Sequence, residues 1–451
     1  MGKKSPDRNS SGRNSPGRKF PAPFRSLAVR NFRLFVAGQV VSAAGTWMMV
    51  TAQDWLVLSL TGDSGTALGT VTAFQLTPLL LFTLYGGRLA DRYDKRWLLG
   101  AANTAAGLLA LALSVLVMSG AVRLWHVYAA ALCLGLVNAV EVPARMAFVS
   151  ELVGPELLPN ASSLSAAYFS TARMVGPAGA GLLIAWIGVG PVMLVNALSY
   201  PATVAALCLM RPGELVRSAR SARAAKVVDG LRYVRGRPDL LVPLVLVGTV
   251  GLAGFNFQLT LPLLAKTVFH ADASAFGLLS AAFAAGSLGG ALLATTRSGR
   301  PAALLVTGSA VAFGVLETVA GFAPDHATAA VLVGLTGAAG IYFVQAANHY
   351  VQLGSAPEYR GRTMALYTLV LQGLTPLGAL LVGWLSVRYG ARSGLYLGGL
   401  VSLAAGLAVL VPALLRRRRR RHAGAGPGPG PDGDPVPDPA APAPSATGRT
   451  P

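Results

Sequence analysis

Charged residues, cysteine and histidine are all scarce in this chain. Only 12% of its 451 residues are charged, about half of what a soluble protein of this length carries. The two cysteines, Cys133 and Cys208, lie in apolar runs, which argues against a disulfide framework. Five histidines without a cluster of acids beside them disfavour metal or acid–base catalysis. We therefore expect no enzymatic activity, no metal and no cofactor.

Acidic residues are also few, because 18 Asp and Glu stand against 38 Lys and Arg, for a formal net charge of +20. The cations lie in the tails and in alternate loops rather than along one stripe, so the charge predicts membrane topology and no nucleic-acid partner. The sequence also lacks the Gly-x-x-x-x-Gly-Lys-Ser/Thr loop that cradles nucleotide phosphates. An ATP-driven pump is therefore disfavoured.

Apolar residues make up 53% of the chain and are gathered into runs of roughly 20 residues. Each run is long enough to cross a bilayer core of about 30 Å. Twelve such runs predict an all-α polytopic membrane protein with twelve transmembrane helices. They cover residues 33–59, 66–86, 97–119, 124–144, 163–187, 191–210, 240–265, 275–296, 302–322, 327–350, 363–386 and 393–415.

Lys and Arg are divided unevenly between the two sides of this topology. The tails and the loops after even-numbered spans hold 33 of the 38, whereas the other loops hold four. By the positive-inside rule, both termini are predicted to be cytoplasmic and the protein to lie in the cell membrane. The run Arg416–Arg421, directly after the last span, is predicted to bind anionic lipids of the inner leaflet. The bias toward Arg, Ala and Gly suggests a GC-rich bacterial genome.

The chain repeats itself at an interval near 200 residues. Gly86-Gly87 and Gly289-Gly290 are 203 apart, and Pro177 and Pro376 are 199 apart. This repeat predicts two six-helix bundles, a substrate site between them and alternating access. The predicted organisation is a tail without fixed structure at 1–30, a first bundle at 31–210, a basic cytoplasmic linker at 211–239, a second bundle at 240–415, and a basic, then Pro/Gly-rich tail at 416–451.

Two motifs resemble the major facilitator superfamily. Gly86–Arg96 reads Gly-Gly-Arg-Leu-Ala-Asp-Arg-Tyr-Asp-Lys-Arg, similar to the superfamily's signature loop between spans two and three. Span five contains Ala172-x-x-x-Gly176-Pro177-x-x-Ala180-Gly181, similar to the antiporter signature with alanine at two glycine positions. The stretch from Pro143-Ala-Arg145 through Asn160-Ala161 and the segment Arg360–Tyr367 look like the branch that includes the enterobactin exporter and macrolide efflux proteins.

The resemblance covers roughly residues 27 to 415. It implies a monomeric secondary active transporter that exports a small amphipathic molecule, such as a drug, secondary metabolite or siderophore, in exchange for protons. Two alternatives remain open at this point. The protein would be an importer or facilitator of a small metabolite, or a membrane receptor or scaffold that transports nothing.

The signature loop and span five provide candidate conformational residues. The resemblance implies a latch formed by Gly87, Asp91, Arg92 and Arg96, while the alternative is a loop that only determines topology. Ala294 stands where the second copy of the loop would have the acid, so only the first copy keeps it. Gly176 and Pro177 are predicted to form a hinge, because proline removes a helical hydrogen bond; an ordinary kink is the alternative.

Four ionisable residues are candidates for proton coupling, since charge is costly inside a bilayer. Asp54 and Arg173 are expected to pair between spans one and five, and protonation of Asp54 would break the pair. The alternative is a purely structural pair, or a carboxylate that reaches interfacial water. Glu141, four residues before Arg145, predicts a local pair. Glu317 lies in span nine, which is usually peripheral in this fold.

In the major facilitator fold, spans one, four, seven and ten mainly line the central cavity. Here these spans offer amide and aromatic side chains, which suit an amphipathic or aromatic substrate. Alternatively, the amides hold helices together. The cavity candidates are Gln39, Trp47, Gln53, Asn138, Phe255, Asn256, Phe257, Gln258, Gln345, Asn348 and His349.

Overall fold

A computed structural model of the chain describes residues 22–216, 227–297 and 299–423. Every regular element in these ranges is a helix, because a chain in lipid must satisfy its backbone hydrogen bonds within each segment. The α-helices are α1 Arg30–Thr61, α2 Gly65–Arg92, α3 Lys95–Met118, α4 Leu124–Ile187, α5 Val189–Cys208, α6 Val227–Arg235, α7 Pro238–Ala253, α8 Phe257–Leu263, α9 Ala273–Thr295, α10 Ala303–Gly321, α11 His326–Gly354, α12 Arg360–Gly373, α13 Thr375–Tyr389 and α14 Ser393–Ala423.

Within the described ranges, eleven helical segments are long and apolar enough to span a membrane. One of them, α4, has 64 residues and crosses twice, so the eleven segments make twelve crossings. The predicted number of crossings is therefore confirmed. Gly154 reverses the chain inside α4, at a φ of +71°. Glycine adopts this left-handed conformation without strain because it has no Cβ.

Two crossings of the second half are interrupted. Between α7 and α8, residues 254–256 leave the helix, and α8 runs into a π-helical turn, Leu264–Val268. The crossing made by α12 and α13 is broken at Leu374, just before Pro376. Pro177, the counterpart of Pro376 in the first half, stays inside α4. The two halves therefore share a pattern of crossings but differ in local backbone.

Segments predicted as tail or linker contain further helices. Ala22–Ala28 is a 3-10 helix, fixed where the backbone N–H of Ser26 donates to Asn160 Oδ1 at 2.9 Å. In the basic linker, α6 packs on the start of α12, and the rings of Tyr233 and Tyr359 stack 4.4 Å apart. Helix α14 continues beyond residue 415 to Ala423. The remaining tail residues and residues 217–226 of the linker lie outside the described ranges.

Buried apolar residues form a core in each half and a third core that the halves share. Phe35 and Phe148 belong to a cluster whose buried members all come from the first half. Phe343 belongs to a cluster with buried members from the second half. On the face with the α1–α2 connection, one cluster combines first-half residues such as Leu68 with second-half residues such as Leu259. The two halves are therefore packed together on this face.

Small residues permit this contact between the halves. A Cβ on Gly181 of α4 would lie 3.0 Å from the Cα of Gly277 on α9. A Cβ on Gly69 of α2 would lie 2.5 Å from the carbonyl oxygen of Ala379 on α13. Only small residues allow backbones to approach so closely. We call this side of the molecule the closed face, and the side with the chain ends and the α2–α3 connection the terminal face.

Exposed aromatic side chains lie near both ends of the crossings. Tryptophan and tyrosine favour the membrane–water interface, where an apolar ring body and a polar tip are both accommodated. Three of the four exposed tryptophans in the described ranges lie at the closed face. Trp125, Trp186, Trp384 and Tyr389 are exposed at the closed face, and Tyr85, Tyr93 and Trp97 at the terminal face.

Candidate functional site

A cavity of about 480 Å³ lies between the two halves, next to the closed face. The first half contributes α1, α2 and the second crossing of α4, and the second half contributes the α7–α8 interruption, α8, α9, α12 and α13. Its walls are mostly aromatic and aliphatic, with a few polar groups. The aromatic residues are Trp47, Phe169, Phe255, Phe257, Phe276 and Phe283, and the polar ones include Thr51, Asp54, Arg173, Gln258, Ser280 and Gln372.

Two charged residues of opposite sign, Asp54 on α1 and Arg173 on α4, line this cavity. The direct ion pair predicted between them is not formed. Among the described residues, no ion pair with a nitrogen–oxygen distance of 4.0 Å or less joins Asp54 to Arg173. The guanidinium of Arg173 instead lies 5.3 Å from the ring centroid of Trp47 and 6.0 Å from that of Phe283. Aromatic faces attract a poorly solvated cation and explain this placement. Asp54 remains 7% exposed without an ion-pair partner in the described chain.

The structure brings only some of the predicted cavity residues to the cavity. Trp47, Phe255, Phe257 and Gln258 line it. The side-chain N–H groups of Asn256 donate to backbone carbonyls of α7 instead, at 2.9 and 3.1 Å. Two of the remaining candidates, Gln39 and Gln53, are buried on α1. The other four are half-buried on α4 and α11, outside the cavity. They are Asn138, Gln345, Asn348 and His349.

The lining expected from spans four and ten is therefore not found in this cavity. Leucines of α2 and residues of α9 and α12–α13 occupy that position instead. The reason is the close approach of α2 to α13 and of α4 to α9 at the closed face, which brings these four segments to the centre.

Glu141 and Arg145 form the local pair predicted from their spacing. Arg145 Nε donates to Glu141 Oε1 at 2.9 Å, and the guanidinium also lies 5.9 Å from the ring centroid of Phe169. Because Phe169 lines the cavity, this pair supports one wall of the cavity from the terminal-face side. The carboxylate of Glu141 is thus already engaged by a cation.

In the signature loop, two of the four predicted latch residues, Gly87 and Asp91, make no contact found in the described chain, whereas Arg92 and Arg96 do. Gly86, rather than Gly87, packs against the backbone of Ala139 on α4, whereas a Cβ on Gly87 would meet nothing within 4 Å. Asp91 is exposed and forms none of the hydrogen bonds or ion pairs found among the described residues. The engaged acid is Asp94, whose Oδ1 accepts from the backbone N–H of Arg96 and caps α3.

Three cations of this loop, Arg92, Lys95 and Arg96, make contacts within the first half. Lys95 Nζ lies 2.7 Å from Glu151 Oε1 on α4. Arg96 Nη2 donates to the carbonyl oxygen of Cys208 at the end of α5, at 3.1 Å. The guanidinium of Arg92 lies over the ring of Tyr93, 5.8 Å from its centroid. In this conformation, the loop therefore joins α3 to α4 and α5.

The antiporter-like motif places its glycines against two different helices. A Cβ on Gly176 would lie 2.5 Å from the Cβ of Trp47 on α1, whereas Gly181 contacts α9 at the closed face. Pro177, between them, lines the cavity. The motif therefore connects the packing of the first half, the cavity wall and the contact between the halves.

Glu317 on α10 lies outside the cavity and is 2% exposed. Its carboxyl group packs against Gly254, where α7 ends, and against Gly398 of α14. The sequence identified it as an ionisable residue in a span, but its position beside an interrupted helix could not be read from spacing alone.

Comparison with known proteins identifies the family. Residues 21–424 match the family described as transmembrane secretion effector, so the match covers nearly all of the described chain. The chain belongs to this family of the major facilitator superfamily. It is therefore a multi-pass membrane transporter and not an enzyme.

Several characterised relatives are exporters or transporters by name. The chain is 28% identical to the multidrug efflux pump Tap of Mycolicibacterium fortuitum, over 84% of this chain and 95% of that protein. It is 24% identical to macrolide efflux protein A of Streptococcus pyogenes, over 83% and 94%. It is 27% identical to the staphyloferrin A transporter of Staphylococcus aureus, but over only 57% of this chain and 64% of that protein.

Solved structures share the fold. A bacterial homologue of the human lysosomal transporter Spinster, in an inward-facing and unoccupied conformation, superposes with a TM-score of 0.65. The match covers 87% of this chain and 96% of the other, at 14% identity. At this identity, the likeness concerns the fold alone.

Proposed function

We propose that this transporter exports small amphipathic or aromatic molecules in exchange for protons. The observation that supports the proposal most directly is the cavity between the halves, with its six aromatic residues and with Asp54, which has no ion-pair partner in the described ranges. A volume of about 480 Å³ lies within the range of about 300–1,000 Å³ that is typical of small-molecule sites. The efflux functions named for Tap and macrolide efflux protein A agree with this direction of transport.

The chemistry of the walls favours substrates with a large apolar surface and a few polar groups. The aromatic rings provide contact area, while Gln258 on α8 and Gln372 on α12 provide amide donors and acceptors. A binding site of this composition orients a ligand by a small number of hydrogen bonds and holds it by buried area. Drugs, secondary metabolites and siderophores include molecules of this kind.

The conformation agrees with the loading step of an exporter. If both termini are cytoplasmic, as the distribution of Lys and Arg predicts, the closed face is extracellular. Substrate would then enter from the terminal face and leave after the closed face separates. Such alternating access requires the two halves to rock around the cavity between them.

Asp54 is the proton site that we assign within the cavity. Its carboxylate has no ion-pair partner among the described residues, so a proton or a basic group on the substrate would neutralise the same charge. Proton binding and substrate binding would exclude each other at this position. This exclusion is the basis of antiport, because the arrival of a proton releases the substrate.

The proposal can be tested with purified protein in proteoliposomes that contain a pH-sensitive dye. A macrolide and the lipophilic cation ethidium are offered as probes under an imposed proton gradient. We expect probe movement coupled to opposite proton flux. We expect Asp54→Asn to lose the proton flux and to bind ethidium more weakly, because the amide lacks the negative charge. Glu358→Gln, at an exposed position of the terminal face, is the matched control and should transport normally.

The same assay separates the alternatives. Probe movement without proton flux in the wild type would indicate a facilitator, and accumulation in the opposite direction would indicate an importer. Neither probe movement nor quenching of protein fluorescence by any member of a wider panel would contradict the transport of amphipathic molecules and favour a scaffold.

A further inference from the structure

Glu317 is a buried carboxyl group in the second half that the cavity does not explain. Its Oε2 atom has no hydrogen-bond partner among the described residues. A Cβ on Gly254 would lie 3.0 Å from Oε2, and a Cβ on Gly398 would lie 2.5 Å from Oε1. The carboxyl group therefore occupies a space that two glycines leave open between α7, α10 and α14. A polar group is costly in such a place unless it is neutral or paired.

The interruption between α7 and α8 lies directly beside this carboxyl group. The same hypothetical Cβ on Gly398 would lie 2.8 Å from the carbonyl oxygen of Ala253, so this oxygen and Glu317 Oε1 face one gap. Two oxygen acceptors that share a gap repel each other unless one carries a hydrogen. Asn256, at the same interruption, has a buried Oδ1 atom without a partner among the described residues.

The ionisable side chains that the structure describes on the surrounding helices have other partners or make no contact with Glu317. Arg392, just before α14, donates to Ala323 O, and Tyr396 on α14 donates to Gly321 O. Asp239 at the start of α7 pairs with Arg237 and Arg300. Lys266, which follows α8, pairs with Asp63. Among the contacts of the described chain, none joins Glu317 to a titratable group of α11. These groups are His326, Tyr342, His349 and Tyr350.

Glu317 is connected to the cavity through aromatic stacking. Phe255, within the interruption, lines the cavity, and its ring stacks on Phe313 with centroids 5.3 Å apart. Phe313 precedes Glu317 by four residues on α10, so the two side chains lie on one helix face. Glu317 is thus one layer behind the aromatic wall of the cavity, on the other side of the interrupted helix.

We propose that Glu317 is a second proton-binding site, whose neutral carboxyl group holds the α7–α8 interruption in its present form. Loss of the proton would leave an unpaired charge in an apolar interior, so the interruption must rearrange to solvate it. Phe255 would move with the interruption and change the cavity wall. This inference deepens the proposed proton coupling, because it places one proton outside the substrate cavity.

The proton itself can be detected by infrared spectroscopy of the purified full chain in lipid nanodiscs. We expect the wild type at pH 7 to show the C=O stretch of a protonated, buried carboxyl group. Asp54→Asn should keep this band, Glu317→Gln should lose it, and Glu317→Asp should restore a shifted band. A wild type without the band, or a Glu317→Gln protein that keeps it, would overturn the proposal. The glutamine variant is nearly isosteric, and gel filtration verifies that it is folded.

The link to the cavity can be measured without any substrate. Gln258→Cys on α8, in a background with Cys133 and Cys208 changed to serine, carries a trifluoromethyl label for ¹⁹F NMR. We expect its chemical shift to change with pH in the Asp54→Asn background, where the cavity carboxyl group cannot titrate, but not when Glu317→Gln is added to Asp54→Asn. Phe313→Leu should weaken the change while the infrared band persists. A titration unaltered by Glu317→Gln would disprove the link.

These readouts do not depend on transport. If no probe is transported but the infrared band and the fluorine titration behave as expected, the proton site stands and the proposed function fails. If transport is proton-coupled but Glu317→Gln changes neither spectrum, the proposed function stands and this inference fails.

Discussion

Gly181 and Gly277 bring the backbones of α4 and α9 into contact across the two halves of the molecule. A side chain at Gly181 would meet the Cα of Gly277 at 3.0 Å, where nothing flexible can move aside. We expect Gly181→Val to separate the closed face and shift the population toward the state open on that side. Gly179→Val is the matched control, because a Cβ there would meet nothing within 4 Å.

The shift can be followed by labelling Thr51→Cys, in the cavity, with an impermeant maleimide added to the closed-face side. The background again has Cys133 and Cys208 replaced by serine. Gly181→Val should be labelled faster than the parent, while Gly179→Val should match it. Equal labelling of all three proteins would show that this contact does not control access.

Asp91 and Glu151 are expected to act in different conformations. The Lys95–Glu151 pair is mostly buried, with 16% and 12% of the side chains exposed, so Glu151→Gln should lower the stability of this conformation by about 1–3 kcal/mol.

Asp91→Asn should leave thermal stability unchanged, because the exposed carboxylate makes none of the contacts found in the described chain. If Asp91 is a latch in the other state, its variant should instead slow turnover.

Thermal unfolding in nanodiscs and probe transport in proteoliposomes measure the two effects separately. Normal turnover of Asp91→Asn at equal expression would leave the loop as a determinant of topology only.

Arg173 covers aromatic faces that a cationic substrate would otherwise use. Its guanidinium lies over the rings of Trp47 and Phe283. Removing it by Arg173→Gln should raise the affinity for ethidium by roughly 2- to 30-fold, the factor that corresponds to a cation–π contact of about 0.5–2 kcal/mol. Quenching of tryptophan fluorescence measures the affinity. Arg388→Gln, at an exposed position of α13, should have no effect, and weaker binding by Arg173→Gln would contradict the expectation.

Asp325 should make the stability of the protein depend on pH at the start of α11. Its Oδ1 accepts from the backbone N–H of Thr328 at 2.9 Å and its Oδ2 from the hydroxyl at 2.7 Å. These hydrogen bonds hold the pKa of Asp325 below its ordinary value. The carboxylate therefore stabilises the fold above the ordinary pKa of about 3.9, and this contribution is lost as the pH falls through the lower folded value.

Asp325→Ala should accordingly lower the thermal midpoint at neutral pH, and the difference from the wild type should shrink in acid. Differential scanning fluorimetry at several pH values measures it, with Glu358→Gln as the control. A difference that does not vary with pH would point to lost packing rather than to the carboxylate.

The twelve crossings could be predicted because hydropathy alone determines which runs can enter a bilayer. The interruption at Gly254–Asn256 could not, since apolar residues continue on both sides and no proline marks it. Helix α6 had a recognisable signal in the apolar spacing of Val227, Leu231 and Val234, which the surrounding basic charges obscured.

The cavity lining could likewise be predicted from the sequence only in part. Trp47, Phe255 and Gln258 stand out among apolar neighbours, so sequence can select them. Leu76, Leu79 and Leu80 look like any lipid-facing leucines, and only the packing of α2 on α13 shows that they face the cavity. The preference of Arg173 for aromatic rings over Asp54 likewise depends on distances that spacing does not contain.

Three of the four exposed tryptophans in the described ranges lie at the closed face, and we expect them to limit where the molecule can pivot. Interfacial rings resist displacement along the bilayer normal, so we expect Trp125, Trp186 and Trp384 to keep that face at constant depth. Rocking of the halves would then move the opposite ends of the crossings through the lipid headgroups. The rate of the transport cycle should therefore depend on the charge and packing of the lipids in that one leaflet.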